Sequence, residues 1–431
     1  VATVVARRPS RRPAPEMPSG ELVLPAPPEI PVASGRQWTQ ALFMLPMLAM
    51  MAAMVLLFSG SGLGGATPLR YVALGLFAVA ALGMVVLAFI TSGGPSKREM
   101  AAARRMYLRD LAQHRLRVAR TVRRQRAALW YLHPDPNGLW AVAASFRLWE
   151  RRRSDPDFGA VRIGLGPQSL ATALVPPDTK PLERLEPLSA LALRRFIITF
   201  SAIGDLPLAL AVNGFSRIYA VGDRGRSVAL VRAMLAQLAT LQAPDDVRIA
   251  VCTDARRLAE WEWLKWLPHA LHPEKTDALG QLRLVAPAIT ALEAMLDDVL
   301  VDRPRFDPHS PSTVSGPHLV VVLDGGSVAG ADHLMTGGGV EGVTIVDVAA
   351  APPRIPEPTT LVLKVGPDGA LSSDTADGQV ELGRADELPV AAAEALARQL
   401  APLRLTAGTR GEQPLTSDLG LAELLDLGDP F

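Results

Sequence analysis

Cysteine is nearly absent. The 431 residues contain one, Cys252, so no intrachain disulfide is available and the chain suits a reducing compartment. Its setting in VRIAVCT reads as a buried strand residue, not a reactive thiol. Aromatic residues make up only 5%, and Lys is scarce beside Arg, as in the products of a GC-rich genome. No stretch matches G-x-x-x-x-G-K-[ST], which excludes an intact phosphate loop of that type. No Ser or His stands in a nucleophile-elbow or triad pattern. Two long segments, residues 41–58 and 71–90, lack any Asp, Glu, Lys or Arg.

Those two segments are what the chain has in place of charge. A helix crossing a hydrocarbon core of about 30 Å needs about 20 largely apolar residues. Residues 38–92 are therefore expected to form a transmembrane hairpin, with a Gly-rich turn over 59–70 that includes Pro68. A secretory signal fits less well, because about forty polar and Pro-rich residues come first. Arg7, Arg8, Arg11, Arg12 and Arg36 precede the hairpin and Lys97, Arg98, Arg104, Arg105 and Arg109 follow it, whereas its turn holds no cation before Arg70. The positive-inside rule then puts both termini in the cytoplasm, at an inner membrane. The net charge is +1 and the mean hydropathy +0.20, the latter raised by the two apolar segments.

Residues 97–126 carry eleven Lys or Arg against two acids, Glu99 and Asp110, with no Gly or Pro. Tyr107, Leu111, Val118, Val122 and Leu129 recur at steps of three, four or seven, which predicts one long helix with a narrow apolar seam. Its cations suit anionic lipid headgroups. Nucleic acid is the less favoured partner, since no aromatics are interleaved to stack bases.

Beyond the stalk, short β-branched runs alternate with helical stretches. Strands are expected at 160–165, 208–212, 216–221, 247–253, 282–285, 318–323, 343–348 and 360–365, and helices at 188–203, 227–241, 258–267, 288–301 and 390–403. That alternation predicts an α/β domain with a mostly parallel sheet covered on both faces.

One junction has the layout of a phosphate loop. A strand runs into Gly222-Asp223-Arg224-Gly225-Arg226-Ser227 and then a helix, the order that aims amides at an anion. Laid over residues 220–227, the full pattern keeps Gly225 and Ser227, has Ala220 for the first glycine and Arg226 for the lysine. An Arg there presents a planar fork in place of a compact ammonium, and Asp223 opposes a triphosphate. HLVVVLD, ending in Asp324, has the shape of a Mg²⁺-holding strand, but Gly325 and Gly326 stand where a water-activating Glu would be. The residues leave two readings open, a weak nucleotide site and a degenerate loop kept for folding. ATP and Mg²⁺ are the cofactors the pattern suggests, and no catalytic residue is assigned. His269-x-x-His272 lacks a third ligand nearby, so no metal site is expected.

The segment Trp261-Glu262-Trp263-Leu264-Lys265-Trp266-Leu267-Pro268-His269 puts three Trp within six residues. It resembles W-x-W-[VL]-K-W-L-P-H of the EccC family, the FtsK/SpoIIIE-type motor subunits of type VII (ESX) secretion. Tyr131-Leu132-His133-Pro134-Asp135-Pro136, Arg147-x-Trp149-Glu150-Arg151, Asp155-Pro156-Asp157-Phe158 with Arg162-x-Gly164-x-Gly166, and Leu185-Glu186-Pro187-Leu188-Ser189 resemble further family elements in the same order.

The resemblance implies a Pro-rich segment (1–37), a hairpin (38–92), a basic stalk (93–130), a P-loop-NTPase-like domain with a degenerate site (131–410) and a linker (411–431) toward ATPase domains beyond this sequence. It further implies an inner-membrane anchor and coupling subunit, in a hexameric complex with EccB, EccD, EccE and other EccC copies. Exported WXG-type substrates would then be met only indirectly. Trp149, Trp261, Trp263, Lys265, Trp266, Pro268 and His269 are the family-motif residues expected to serve packing or coupling. The alternatives are a membrane ATPase with a regulatory ATP site, marked by saturable ATP–Mg²⁺ binding, and an FtsK-type DNA translocase, marked by duplex binding.

Overall fold

The computed structural model describes residues 3–6, 8, 10–30, 51, 97–278, 280–308, 314, 316–331, 333–354, 357–375 and 378–405. Nearly all of the expected hairpin (38–92) and the whole linker (411–431) lie outside the described residues. Among the described residues no helix is long and apolar enough to cross a membrane.

Two compact units emerge. One comprises residues 1–18, 123–169 and 202–431, the other residues 19–122 and 170–201. The segment expected as a stalk is a single helix, α1, Lys97–Leu132, whose residues up to 122 group with the second unit. Of its expected seam, Tyr107, Leu111 and Val118 are buried and Val122 and Leu129 half-buried. In the second unit, helix α2 (Pro187–Ser201) follows a short parallel pair of Glu21–Val23 with Ala173–Val175. Glu186 opens α2 by accepting from both the amide and the hydroxyl of Ser189, at 2.7 and 2.6 Å, and pairs with Arg104 at 2.7 Å.

The first unit is built on a ten-stranded sheet. Its strands in chain order are β1 (Ala160–Ser169), β2 (Ala202–Ala211), β3 (Arg217–Gly222), β4 (Val247–Thr253), β5 (Val285–Ala286), β6 (His318–Asp324), β7 (Val343–Asp347), β8 (Thr360–Val365), β9 (Ala370–Thr375) and β10 (Gly378–Ala385). The spatial order is β5-β4-β6-β7-β3-β8-β9-β10-β1-β2. The first six are parallel and the last four join antiparallel. Successive residues of β6 alternate between two cores, as the two-residue period of a strand requires. Val320 and Val322 pack on one face with Leu230, Leu238 and Ile249, and Leu319, Val321 and Leu323 on the other with Leu292 and Leu296.

The mostly parallel α/β expectation holds, with local corrections. The helix expected from Ser227 begins at Arg224, because Asp223 caps it, and forms α3, Arg224–Leu241. The expected helix 258–267 is one α-turn, Leu258–Trp261, continued as a 3-10 helix over Glu262–Trp266; Pro268, with no N–H to donate, follows its end. The stretch 288–301 breaks at Leu296 into α4 (Ile289–Met295) and α5 (Asp297–Leu300). The run 282–285 divides between Gly280–Arg283, paired with Leu271–Asp277, and β5 in the main sheet. The last described helix, α6, is Val390–Leu400.

Candidate functional site

The junction singled out in the sequence is a tight strand-to-helix turn. Only Asp223 separates β3 from α3. A loop that cradles phosphates turns several consecutive backbone N–H groups inward, and a one-residue connection has none to spare. Gly222 has φ +109°, and a Cβ there would lie 2.1 Å from the Val365 carbonyl oxygen of β8, so the glycine serves backbone approach within the sheet. Asp223 accepts a hydrogen bond from the Arg226 amide at 3.0 Å, placing the chain's own carboxylate where a helix N-terminus would take an anion. A Cβ on Gly225 would meet nothing closer than Asp223 Oδ1 at 3.5 Å. Arg226 donates to Glu387, and the buried Ser227 hydroxyl donates to the Val221 carbonyl at 3.2 Å.

Asp324 tips β6, one strand removed from β3, and is fully buried. Its two oxygens receive four donors. Arg224 forks onto both at 2.7 and 3.1 Å, Arg257 Nη1 donates to Oδ1 at 3.0 Å and Trp261 Nε1 to Oδ2 at 2.8 Å. An ionised carboxylate has about four lone-pair sites, so these partners use them all. The hydrogen bond to Asp324 holds the Arg224 guanidinium above its ordinary pKa. Beyond Asp324, Gly325 has φ +83°, and a Cβ there would lie 2.7 Å from Arg257 Nη1 and 2.8 Å from Asp254 Oδ2. A Cβ on Gly326 would lie 2.2 Å from Cys252 Sγ. The glycines standing in place of a Glu are therefore packed around, not vacant.

The structure brings Gly222, Gly225, Arg226 and Ser227 together at one turn, with Asp324 joined to that turn through Arg224. Sequence reading missed Arg224 and Arg257 as its partners. Arg224 lay in the quoted loop with no motif role, and nothing in the sequence pointed to Arg257.

Two of the family-motif residues, Trp149 and His269, meet at the other end of α3. A helix leaves its last carbonyls without intrahelical donors. Here Trp149 Nε1 donates to Ala239 O at 3.0 Å and the Trp149 amide to Thr240 O at 2.9 Å. The Arg151 amide donates to Leu241 O at 2.9 Å, and His269 Nε2 meets Gln242 O at 2.9 Å. A carbonyl only accepts, so His269 carries its proton on Nε2. Burial pushes the His269 imidazole down to about 3, and it stays neutral. Trp149 reaches this corner at φ +54°, a conformation side chains rarely adopt, with its ring edge-on to His269 at 6.3 Å.

Trp261 and Trp263 are buried. Trp266 is half-buried beneath the Arg398 guanidinium of α6, 5.2 Å from its ring centroid. Pro268 is buried and its carbonyl accepts from Arg248 at 3.2 Å, while Lys265 pairs with Glu262 at 2.6 Å. His272 Nδ1 accepts the Glu274 and Lys275 amides at 3.1 and 2.8 Å. Among the described residues no group of three His, Cys, Asp or Glu is placed to hold a metal ion.

Fold and site together define an α/β domain with a mostly parallel central sheet, whose acid-tipped strand and strand-to-helix turn are tied to each other by Arg224. No protein-family model matches the chain. It is 42% identical to the ESX secretion system protein EccC of Thermomonospora curvata over 436 residues, all of this chain and 33% of that protein. It is 35% identical to the ESX-3 secretion system protein EccC3 of Mycobacterium tuberculosis over 345 residues, 77% of this chain and 26% of that protein. Among solved structures, EssC (ATPases 2 and 3) from Geobacillus thermodenitrificans aligns over 59% of this chain and 50% of that one, at 12% identity and a TM-score of 0.34, too low to argue from. The chain belongs to the EccC family of ESX secretion proteins, and it spans about a third of the length of the first of these relatives.

Proposed function

We propose that this chain is the anchoring and coupling part of an ESX secretion complex. Residues 38–92 hold it in the inner membrane, the basic stalk passes beside anionic lipid, and the α/β domain transmits between motor domains and the membrane assembly without burning ATP itself. The observation that carries this reading is the self-occupied site, in which Asp223 fills the helix N-terminus and Arg224, Arg257 and Trp261 fill Asp324. EccB, EccD, EccE and further EccC copies are its partners on this reading, and exported WXG-type proteins meet the motor domains instead.

The test has two arms. Titrating the full chain in detergent with ATP–Mg²⁺ is expected to give no saturable binding, and saturable binding abolished by Arg226→Ala would establish a regulatory ATP site instead. Replacing the stalk cations with Gln and purifying the membrane complex is expected to reduce recovery of EccD, and unchanged recovery would remove the stalk from the coupling path.

A further inference from the structure

Residues 3–6, 8 and 10–12 form a strap on the first unit. Val4–Val5 pairs in parallel with Leu403–Arg404; the Val4 amide donates to Pro402 O and the Ala6 amide to Arg404 O, both at 2.7 Å. Further on, the strap is gripped through its cations. Arg8 reaches Trp149 O at 2.6 Å, Arg151 O at 2.9 Å and Asp246 at 2.5 Å. Arg11 reaches Asp155 at 3.0 Å and both oxygens of Asp157 at 2.7 and 2.5 Å. Arg12 lies 4.0 Å over the Phe146 ring. The strap thus holds the corner that caps α3 and the last described strand of the chain. Ser10 is exposed between the two gripping arginines, in the run Arg7-Arg8-Pro9-Ser10-Arg11-Arg12.

We propose that the strap is a releasable latch and that Ser10 is a phosphorylation site that opens it. The chemistry is phosphoryl transfer from ATP by an arginine-directed protein kinase. The Ser10 Oγ–P bond forms, the bond between the γ-phosphorus and the bridging oxygen breaks, ADP leaves and the hydroxyl proton passes to the kinase's catalytic base. An exposed serine in a run of arginines is the substrate form such a kinase takes.

The direction of the effect follows from which side carries which charge. The cations are on the strap and the carboxylates on the body, so a phosphate of about −2 on the strap pairs with the strap's own arginines and repels Asp155, Asp157 and Asp246. Pairing and repulsion both favour release. This inference stands apart from the coupling role proposed above.

The test installs phosphoserine at position 10 of the full chain in detergent and follows amide hydrogen exchange. Val4–Ala6 and Leu403–Arg404 are expected to exchange at least about tenfold faster while Val247–Thr253 is unchanged, as for a local opening. Arg8→Ala with Arg11→Ala is expected to give the same loss without phosphate. Unchanged protection in the phosphoserine chain, or in the double arginine variant, overturns the latch. Incubation with ATP and an arginine-directed kinase tests the site itself. Native chain is expected to be modified at Ser10 and Ser10→Ala to remain unmodified there. Modification of a peptide of residues 3–14 but not of the native chain overturns the assignment.

Discussion

Truncating Asp324 separates two roles that its sequence context leaves mixed. In Asp324→Ala, Trp261 Nε1 loses its acceptor in a fully buried setting, at about 1–3 kcal/mol for an unsatisfied donor. Arg224 and Arg257 lose their counter-charge, but their side chains are 43% and 33% exposed and turn to water, so they add less than the 3–5 kcal/mol typical of a broken, fully buried pair. The expected loss is about 3 kcal/mol in all. A carboxylate kept for Mg²⁺ behaves oppositely, because an uncompensated buried charge in metal-free protein costs stability and its removal leaves the denaturation midpoint unchanged or raised. The assay is urea denaturation of the full chain in detergent with chelator present, followed by tryptophan fluorescence, beside an ATP–Mg²⁺ titration. An unshifted midpoint together with lost nucleotide binding would refute the reasoning.

Gly325→Glu is expected to produce no ATP hydrolysis and to lower stability, since φ +83° and contacts under 3 Å with Arg257 and Asp254 meet any side chain there; phosphate release checks the first and thermal unfolding the second. Arg226→Ala removes an ion pair with Glu387 whose side chains are 32% and 39% exposed, and is expected to shift stability by less than about 1 kcal/mol in a denaturant titration. Trp263→Ala is expected to cost about 3–5 kcal/mol, and Trp266→Ala, half-buried, distinctly less in the same titration. Burial holds His269 and His318 neutral with pKa values pushed down to about 3. Their contribution is therefore full above the ordinary value near 6.5 and erodes as pH falls from there toward 3, at about 1.4 kcal/mol per unit for each. Stability measured from pH 7 to 4 is expected to fall with that sign, and His269→Gln to be less stable at pH 7 but to show a shallower fall.

Burial on both faces made part of the fold legible. Within VRIAVCT and HLVVVLD the stretches Ile249–Cys252 and Leu319–Leu323 are unbroken apolar runs because each strand lies between two cores, and both strands appear within a residue of where composition puts them. The long stalk helix was equally plain, with its Gly- and Pro-free run and spaced apolar seam. The hairpin of β9 and β10 was not, since ALSSDT and GQVELGRA carry little apolar alternation and are ordered by pairing with β8 and β1. The 3-10 turn of the Trp segment escaped for a related reason. Helical spacing is legible in sequence, whereas the choice between α and 3-10 follows from packing against α6 and from Pro268.

By itself the sequence determined the two charge-free segments, the α/β alternation, the missing Lys and Glu of the phosphate site and the motif residues that place the chain in its family. Only the tertiary structure decided what those residues do. Arg257 lies 67 positions from Asp324, and Trp149 lies 90 from the carbonyl that its indole caps. Local periodicity reports which face of an element is buried. The partners of a buried carboxylate or a helix end are set by how distant segments cross, which no local pattern encodes.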